Sequence, residues 1–293
     1  MEFRALSLFT AVVRQGGFSA AAKGLGLTQP TLTKAVQQLE HECGGPLLDR
    51  SNRKIRLTSA GELVYERAKV ILQEHQRLED DLASIRGLKR GRLRLGLPSL
   101  GSSLLFAPHV ADFRRQYPGI EITLQEQGSL PLQEGVRSGE IEVGVSLGPV
   151  PEEFAWQPVC DEPLVALLPA DHPLHGHPSV TLADLQATPF ILFDPGFSLN
   201  AVILDACQRR GFVPLEAARS GHVDFIIALV AAGLGVALLP RLIVAARPQD
   251  VCAVVPVADS DLRWNIGLIW RREATLSPAA SRWLEVVRSG SGR

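Results

Sequence analysis

Thr28-Gln29-Pro30-Thr31-Leu32-Thr33-Lys34 is the stretch with the most specific chemistry in this 293-residue chain. Leu32, Val36 and Leu39 recur at helical spacing and predict one buried face. Gln29, Thr31, Thr33, Lys34, Gln37 and Gln38 fall on the other. Hydroxyls and amides both donate and accept hydrogen bonds, so such a face can read base edges in a major groove, and a lysine can meet a phosphate. A second group of polar side chains lies far downstream: Pro98, Ser99, Ser102 and Ser103, then Gln127, Gly128 and Ser129, then Ser146, then Phe197 and Ser198, with His222. Serine hydroxyls beside free N–H groups at a helix start suit a small anion. Phe197 and nearby leucines would cover its apolar part.

Three other groupings have the wrong context for catalysis or metal binding. His172, His175 and His177 lie on a Pro/Gly-punctuated loop with no carboxylate or cysteine partner in view. Gly96-Leu97-Pro98-Ser99-Leu100-Gly101 has one residue too many between its first glycine and its serine for a nucleophile elbow. Gly233-Leu234-Gly235 falls between a helix and a strand, the reverse of the order that cradles phosphate. No catalytic residue, metal ligand or cofactor is expected.

The first group needs two short helices to present it. Ser19 reads as an N-cap, its hydroxyl satisfying a first-turn N–H. Ala20, Ala21 and Ala22 let that helix lie close to a neighbour, and Gly26 ends it. Thr28 caps the next helix, with Pro30 in its first turn, where the missing N–H is harmless. Downstream, Arg50, Arg53, Lys54 and Arg56 cluster. In Arg53-Lys54-Ile55-Arg56-Leu57 basic and apolar residues alternate, as in a short wing strand with one face toward phosphate.

This segment resembles the DNA-binding domain of LysR-type transcriptional regulators. The resemblance rests on Leu6 and Phe9, Phe18-Ser19 with Ala21-Ala22, Thr28-Gln29-Pro30, Leu39-Glu40, the turn Gly44 to Arg50, and Leu57-Thr58 with Gly61, all in register without a gap. Thr33 stands where the family usually has Ser and keeps the hydroxyl. Leu48 replaces a usual Phe and keeps an apolar side chain. The resemblance implies that Ser19, Thr28, Gln29, Pro30, Thr31, Thr33, Lys34, Gln37, Arg50, Arg53 and Lys54 face double-stranded promoter DNA. It also implies RNA polymerase as a partner.

Charge agrees. Residues 1–60 hold eight Lys or Arg against four acids, whereas the whole chain is formally −1, so residues 61–293 are net acidic. A basic start on a near-neutral chain suits a nucleic-acid reader joined to a ligand domain. A hydrophobic share of 46% is ample for packed cores. No uninterrupted apolar run is long enough to span a membrane, and acidic Glu2 with no apolar region behind it argues against export. Cys43, Cys160, Cys207 and Cys252 are scattered without a C-x-x-C, which suits reduced thiols in a cytoplasm. Some members of the family sense oxidants through a cysteine pair, for which Cys160 and Cys207 are the candidates here; four buried or idle thiols are the expectation.

Ser59-Ala60-Gly61-Glu62 fits a capping box. From it run Val64, Ala68, Ile71, His75, Leu78, Leu82 and Ile85 at alternating spacings of four and three, a heptad seam that predicts a linker helix paired with a second subunit. In the family this helix forms the dimer interface, and dimers often pair into tetramers, so a homodimer assembling to a homotetramer is implied.

Beyond Gly91, strands and helices alternate, which argues for two α/β lobes with a mainly parallel sheet. Crossings are expected near Cys160–Glu162 and Asp261–Trp264. Arg92 to Gly96, Gly139 to Val145, Leu164 to Pro169 and Val230 to Pro240 resemble the family's effector domain, which has the periplasmic-binding-protein fold; Glu142 stands where Asp is more usual. The expected organisation is an all-α winged helix-turn-helix over 1–58, a linker helix over 59–90 and an α/β effector domain over 91–293. Lobe I takes about 91–161 and 265–293, lobe II about 162–264. Ligands in open α/β sheets bind where strand ends meet between lobes, which gathers the second polar group into one effector site for a small carboxylate. Two other readings stay open at this point. A pure solute-binding protein would carry an export signal and no helix-turn-helix. A ligand-blind oligomerisation module would keep the DNA-binding head.

Overall fold

The computed structural model describes residues 2–49, 55–85, 91–247 and 252–290. The chain divides into two compact units, one ending at Leu82 and the other starting at Ala83.

The first unit packs three helices, α1 (Phe3–Arg14), α2 (Phe18–Leu25) and α3 (Gln29–Glu42), with a two-strand ribbon, β1 (Leu48–Asp49) and β2 (Arg56–Leu57), and most of α4 (Ser59–Ile85). Phe9, Val12, Ala21, Leu32, Val36, Leu39 and Leu47 are fully buried at its centre. The caps differ from expectation at two places. Helix α2 starts at Phe18 behind Gly17, so Ser19 sits inside the first turn and is not the N-cap. Its hydroxyl donates instead to Gln29 Oε1 (3.1 Å). Helix α4 is capped one residue earlier than Ser59, where the Thr58 hydroxyl accepts from the Gly61 N–H (3.0 Å) and donates to the Pro46 carbonyl (2.8 Å). Thr58 does both because its hydroxyl is donor and acceptor at once. Gly26 closes α2 in the left-handed region at φ 64°.

The predicted seam on α4 is divided. Ala68 is buried in the head's own core, Val64 packs beside it, and the His75 ring lies 4.7 Å from that of Phe3. Ile71, Leu78 and Leu82 are exposed, as are Leu63 and Val70. The first half of the seam therefore serves the head, and an apolar stripe remains uncovered along the second.

Among the described residues, the second unit is built on a seven-stranded sheet with a separate two-stranded parallel sheet in lobe II. Strands β3 (Gly91–Pro98), β4 (Ile120–Gln127) and β5 (Val143–Leu147) are parallel, with α5 (Ser102–Leu105), α6 (Ala107–Gln116) and α7 (Ser129–Ser138) between them. Strand β6 (Phe154–Leu168) then runs unbroken through both lobes. In lobe II come β7 (Phe190–Phe193), α8 (Ser198–Arg209), β8 (Glu216–Ser220), α9 (Val223–Ala231), β9 (Ala237–Pro240), α10 (Arg241–Ala245) and β10 (Ala253–Pro256). The chain returns by β11 (Arg263–Arg271) and closes on lobe I with α11 (Pro278–Gly290).

The sheet is mixed rather than mainly parallel. Strand β11 is antiparallel to both β5 and β6, and β6 is antiparallel to β9 and β10. The expectation missed residues 154–160 as strand because Pro158 and Pro163 punctuate the segment. Pro158 is tolerated because β6 is irregular there: its pairing with β11 shifts register at Ile266/Gly267, opposite Cys160 and Pro158. Leu164 to Leu168 is buried along its whole length because strands flank it on both edges. The same pairing makes β6 and β11 two adjacent hinge strands between the lobes. Buried Gln157 ties the hinge to α11, donating to the Leu284 carbonyl (3.0 Å) and accepting from Arg288 (3.0 Å). Glu142 accepts from the Ser277 N–H (2.7 Å), so its side chain fixes the backbone ahead of α11. Among the described residues no helix is long and apolar enough to cross a membrane.

Candidate DNA and effector sites

The polar face of α3 is organised by its own side chains. Thr28 holds the N-cap position and its hydroxyl accepts from the Thr31 N–H (3.4 Å), while the two hydroxyls share a hydrogen bond (2.8 Å). Ser19 reaches across to Gln29, pinning α2 to the start of α3. Gln29, Pro30, Thr31, Lys34, Gln37 and Gln38 are exposed and Thr33 is half-buried, so the structure brings these predicted residues onto one solvent-facing surface. Glu40 accepts from the N–H groups of Leu47 (3.0 Å) and Leu48 (3.2 Å), fixing the turn behind the helix. The ribbon pairs Leu48 with Leu57 and Asp49 with Arg56, and Arg56 is exposed. Arg50, Arg53 and Lys54 lie outside the described residues.

The predicted effector residues do not meet in one pocket. Ser99, Ser103 and His222 line one cleft between the lobes and Ser198 lines a second, while Pro98, Ser102, Gln127, Gly128, Ser129, Ser146 and Phe197 line neither of the two. The larger, about 690 Å³, is lined by Ser99, Gly101, Ser103, Leu104 and Glu126 from lobe I and by Gly221, His222, Val223, Asp224, Ile243 and Arg247 from lobe II. The other, about 590 Å³, is lined by Gln133, Leu147 and Gly148 on one side, Ser198, Val202, Asp205 and Arg209 on the other, and Asp161, Arg263 and Asn265 from the hinge region. Both volumes suit small molecules.

Several hydroxyls are already committed. The helical stretch after β3 is broken into α5 and α6, because Pro108 starts a new first turn. Ser102 donates to the Pro98 carbonyl, and Ser146 is buried under Gln133, whose amide donates to it (2.7 Å). Neither hydroxyl is presented to a ligand as expected. Ser99 and Ser103 are exposed in the larger cleft. Ser198 lines the smaller one, yet its oxygen is buried without a hydrogen-bond partner. Phe197 stacks on Phe193 with ring centroids 5.0 Å apart and so belongs to the wall of lobe II. Pro98 is buried, and Gln127 and Ser129 flank Gly128, whose backbone meets Gly196 across the cleft.

The charged lining was not foreseen, because it comes from segments distant in sequence. Arg247 donates to Asp224 (2.6 Å) in the larger cleft. In the smaller, Arg263 pairs with Asp161 (2.7 Å), and Arg209 pairs with Asp261 (2.6 Å). Arg210 joins Asp261 (2.6 Å) and Asp259 (2.7 Å), and these arginines hold the Asp261 carboxyl far below the usual carboxylate range.

The decoy groupings have structural roles. Thr188 shares a hydrogen bond with His172 Nε2 (3.2 Å), the other ring nitrogen accepts from the Leu174 N–H (3.2 Å), and burial lowers its pKa. Gly233 turns the chain after α9 at φ 82°, and a Cβ on Gly235 would stand 2.3 Å from the Pro189 carbonyl oxygen. Among the described residues no group of three or more His, Cys, Asp or Glu is placed to hold a metal ion. All four cysteines are free thiols, and burial pushes Cys207 up to about 11.

Residues 3–62 match the model of the bacterial regulatory helix-turn-helix protein, lysR family, and residues 86–291 match the LysR substrate binding domain. The chain is 35% identical over 290 residues to the uncharacterized HTH-type transcriptional regulator YwbI of Bacillus subtilis (strain 168), covering 99% of this chain and 96% of that one. It is 30% identical to the transcriptional dual regulator GltC of the same organism, covering 98% and 96%. Among solved structures, full-length CbnR complexed with its target DNA superimposes with a TM-score of 0.68 at 28% identity, covering 99% of each chain.

Proposed function

The chain belongs to the LysR family of DNA-binding transcriptional regulators, a non-enzymatic family with an effector-binding domain, and on that premise we propose how its parts divide the work. The exposed face of α3 enters the major groove. Gln29, Thr31, Thr33 and Lys34 make base or neighbouring phosphate contacts, and the ribbon around Arg56 lies along the backbone. That CbnR is solved in complex with its target DNA supports DNA as the partner of this chain.

The effector is a small carboxylate held in the larger cleft. One observation carries this reading: Ser99 and Ser103 face His222 and Arg247 across about 690 Å³. Two hydroxyls, an imidazole N–H and a guanidinium can together hold an anion. Glu126 and Asp224 share the same lining, so a carboxylate that also carries a hydrogen-bond donor fits better than a bare acid. The exposed stripe of Leu63, Val70, Ile71, Leu78 and Leu82 pairs with a second subunit, and two dimers assemble into a tetramer on a partly palindromic promoter site. Effector binding then shifts the balance between lobe arrangements by its difference in affinity for them.

A thermal-shift screen tests the effector reading. Hydroxy and amino acids, aromatic acids, sugars and neutral amides form the panel. A ligand at about 100 times its Kd adds about 2.7 kcal/mol to stability. A hit among the acids that is lost in Arg247→Ala supports the reading. Hits confined to neutral sugars or amides, or none, would sink it.

A further inference from the structure

Gly128 and Gly196 form a backbone contact between the lobes outside the two hinge strands. The Leu130 N–H donates to the Gly196 carbonyl (3.3 Å), and a Cβ on Gly128 would stand 2.4 Å from that same oxygen and 2.8 Å from its carbon. No real side chain tolerates such a distance to backbone. Gly128 itself sits at φ −68°, ψ 161°, a conformation open to any residue. Its glycine is therefore required by the opposite lobe and not by its own loop.

The contact also lies between the two clefts. Glu126, at the end of β4, lines the larger cleft and Leu130, in the first turn of α7, the smaller, with Gly128 midway between them in the chain. On lobe II, Ser198 lines the smaller cleft and Gly221 the larger, and Gly221 lies against Asp194 and Phe197, which flank Gly196.

We propose that Gly128 and Gly196 act as a latch: their contact holds the lobes closed and keeps the two clefts separate, so opening it would merge them into one groove for a larger ligand. The latch deepens the effector reading by naming what sets the size of molecule admitted. It rests on that reading for its consequence but not for its existence.

The contact makes an asymmetric prediction. Gly128→Ala puts a methyl group into the Gly196 carbonyl and should open the latch. Gly196→Ala places its methyl 3.8 Å from Pro131, an ordinary van der Waals distance, and should leave the latch closed. Hydrogen exchange with single-amide resolution on the full chain reads both without any ligand. In the unmodified protein the Leu130 N–H is a first-turn group with no acceptor inside α7, and among the described residues its acceptor is the Gly196 carbonyl. Slow exchange at Leu130 is the expected result, and exchange as fast as an open loop amide would overturn the proposal.

In Gly128→Ala, exchange at Leu130 should rise roughly tenfold or more, with the strand core unchanged. Gly196→Ala should match the parent. Equal behaviour of the two variants, in either direction, would defeat the latch. If Gly128→Ala fails to fold, the Leu130 amide of the unmodified chain and Gly196→Ala still decide the matter. The thermal-shift panel stays an independent reading: a chain that binds no acid can still show the latch.

Discussion

The head and the two-lobed domain place their polar groups under opposite constraints. At the start of α3 two pairs of polar side chains are tied by hydrogen bonds, Thr28 to Thr31 within one turn and Ser19 of α2 to Gln29 across the turn. Their arrangement is set before any partner arrives, which lowers the entropy cost of reading DNA. Between the lobes, the charged side chains come from loops and strands far apart in sequence, and most are already paired, as Arg263 is with Asp161 and Arg209 with Asp261. A rigid head offers a fixed pattern to a fixed groove. A divided cleft leaves its geometry to be changed by a ligand.

The largest expected effect tests the rigidity of the head. Gly61 lies where α4 crosses the Leu47 carbonyl, and a Cβ there would stand 1.9 Å from that oxygen. Gly61→Ala gains about 1 kcal/mol in helix propensity. It should lose about 3 kcal/mol or more to overpacking against backbone, so the clash wins. Urea unfolding of the variant should show a head that melts early. A variant as stable as the parent would mean that this contact is looser than the structure has it.

The next effect concerns the reading face. Each good base contact discriminates by about 1–3 kcal/mol, so Thr33→Ala with Lys34→Ala should weaken specific DNA binding by about tenfold to several hundredfold. Lys34→Ala alone should lower the salt slope of binding by about one unit, as loss of one phosphate contact does. Unchanged affinity in a gel-shift titration would remove these residues from the interface and blunt the contrast between head and cleft.

That contrast also explains what could be read from the sequence. Helix α3 was legible because its signals are local: a capping Thr28, Pro30 in the first turn, and Leu32, Val36 and Leu39 on one face. The order of strands and helices in the second unit followed from the same kind of signal. The single strand through both lobes did not, since Pro158 and Pro163 hide a pairing that only β11 reveals. Effector residues were harder still. Ser146 is a plausible ligand group by composition, yet Gln133, thirteen residues earlier, has already taken it. Arg247 and Arg263 reach the clefts through folding of distant segments, and no spacing rule connects them to Ser99 or Ser198.

A smaller effect probes the charge network beside the smaller cleft. Arg210 and Arg209 hold the Asp261 carboxyl below its ordinary value. A depressed carboxylate stabilises the fold above the unfolded-state pKa and loses that contribution as pH falls toward the folded one. The Asp261 contribution should thus be whole at neutral pH and decline below about pH 4. Because the Asp261 side chain is 39% exposed, solvent screening limits it to about 1 kcal/mol or less. Asp261→Asn should lower stability slightly at pH 7 and flatten the acid limb of a pH–stability curve. An identical acid limb would show that other carboxylates govern it.

The smallest effect separates head from lobes by thiol chemistry. Thiolate is the reactive form, and burial raises the pKa of all four cysteines, most strongly at Cys207, to about 11. Cys43 is exposed, Cys160 half-buried, and Cys207 and Cys252 buried. Access and pKa therefore point the same way. Brief iodoacetamide treatment of the native protein at pH 7, followed by mass spectrometry, should label Cys43 first, Cys160 more slowly, and Cys207 and Cys252 only after unfolding. The labelled protein should keep its fold, because the modified thiol lies outside both packed cores. Early labelling of Cys207 would show that α8 and its surroundings open readily, and the division into a rigid head and a lobe domain whose motion is confined to its clefts would need to be redrawn around that helix.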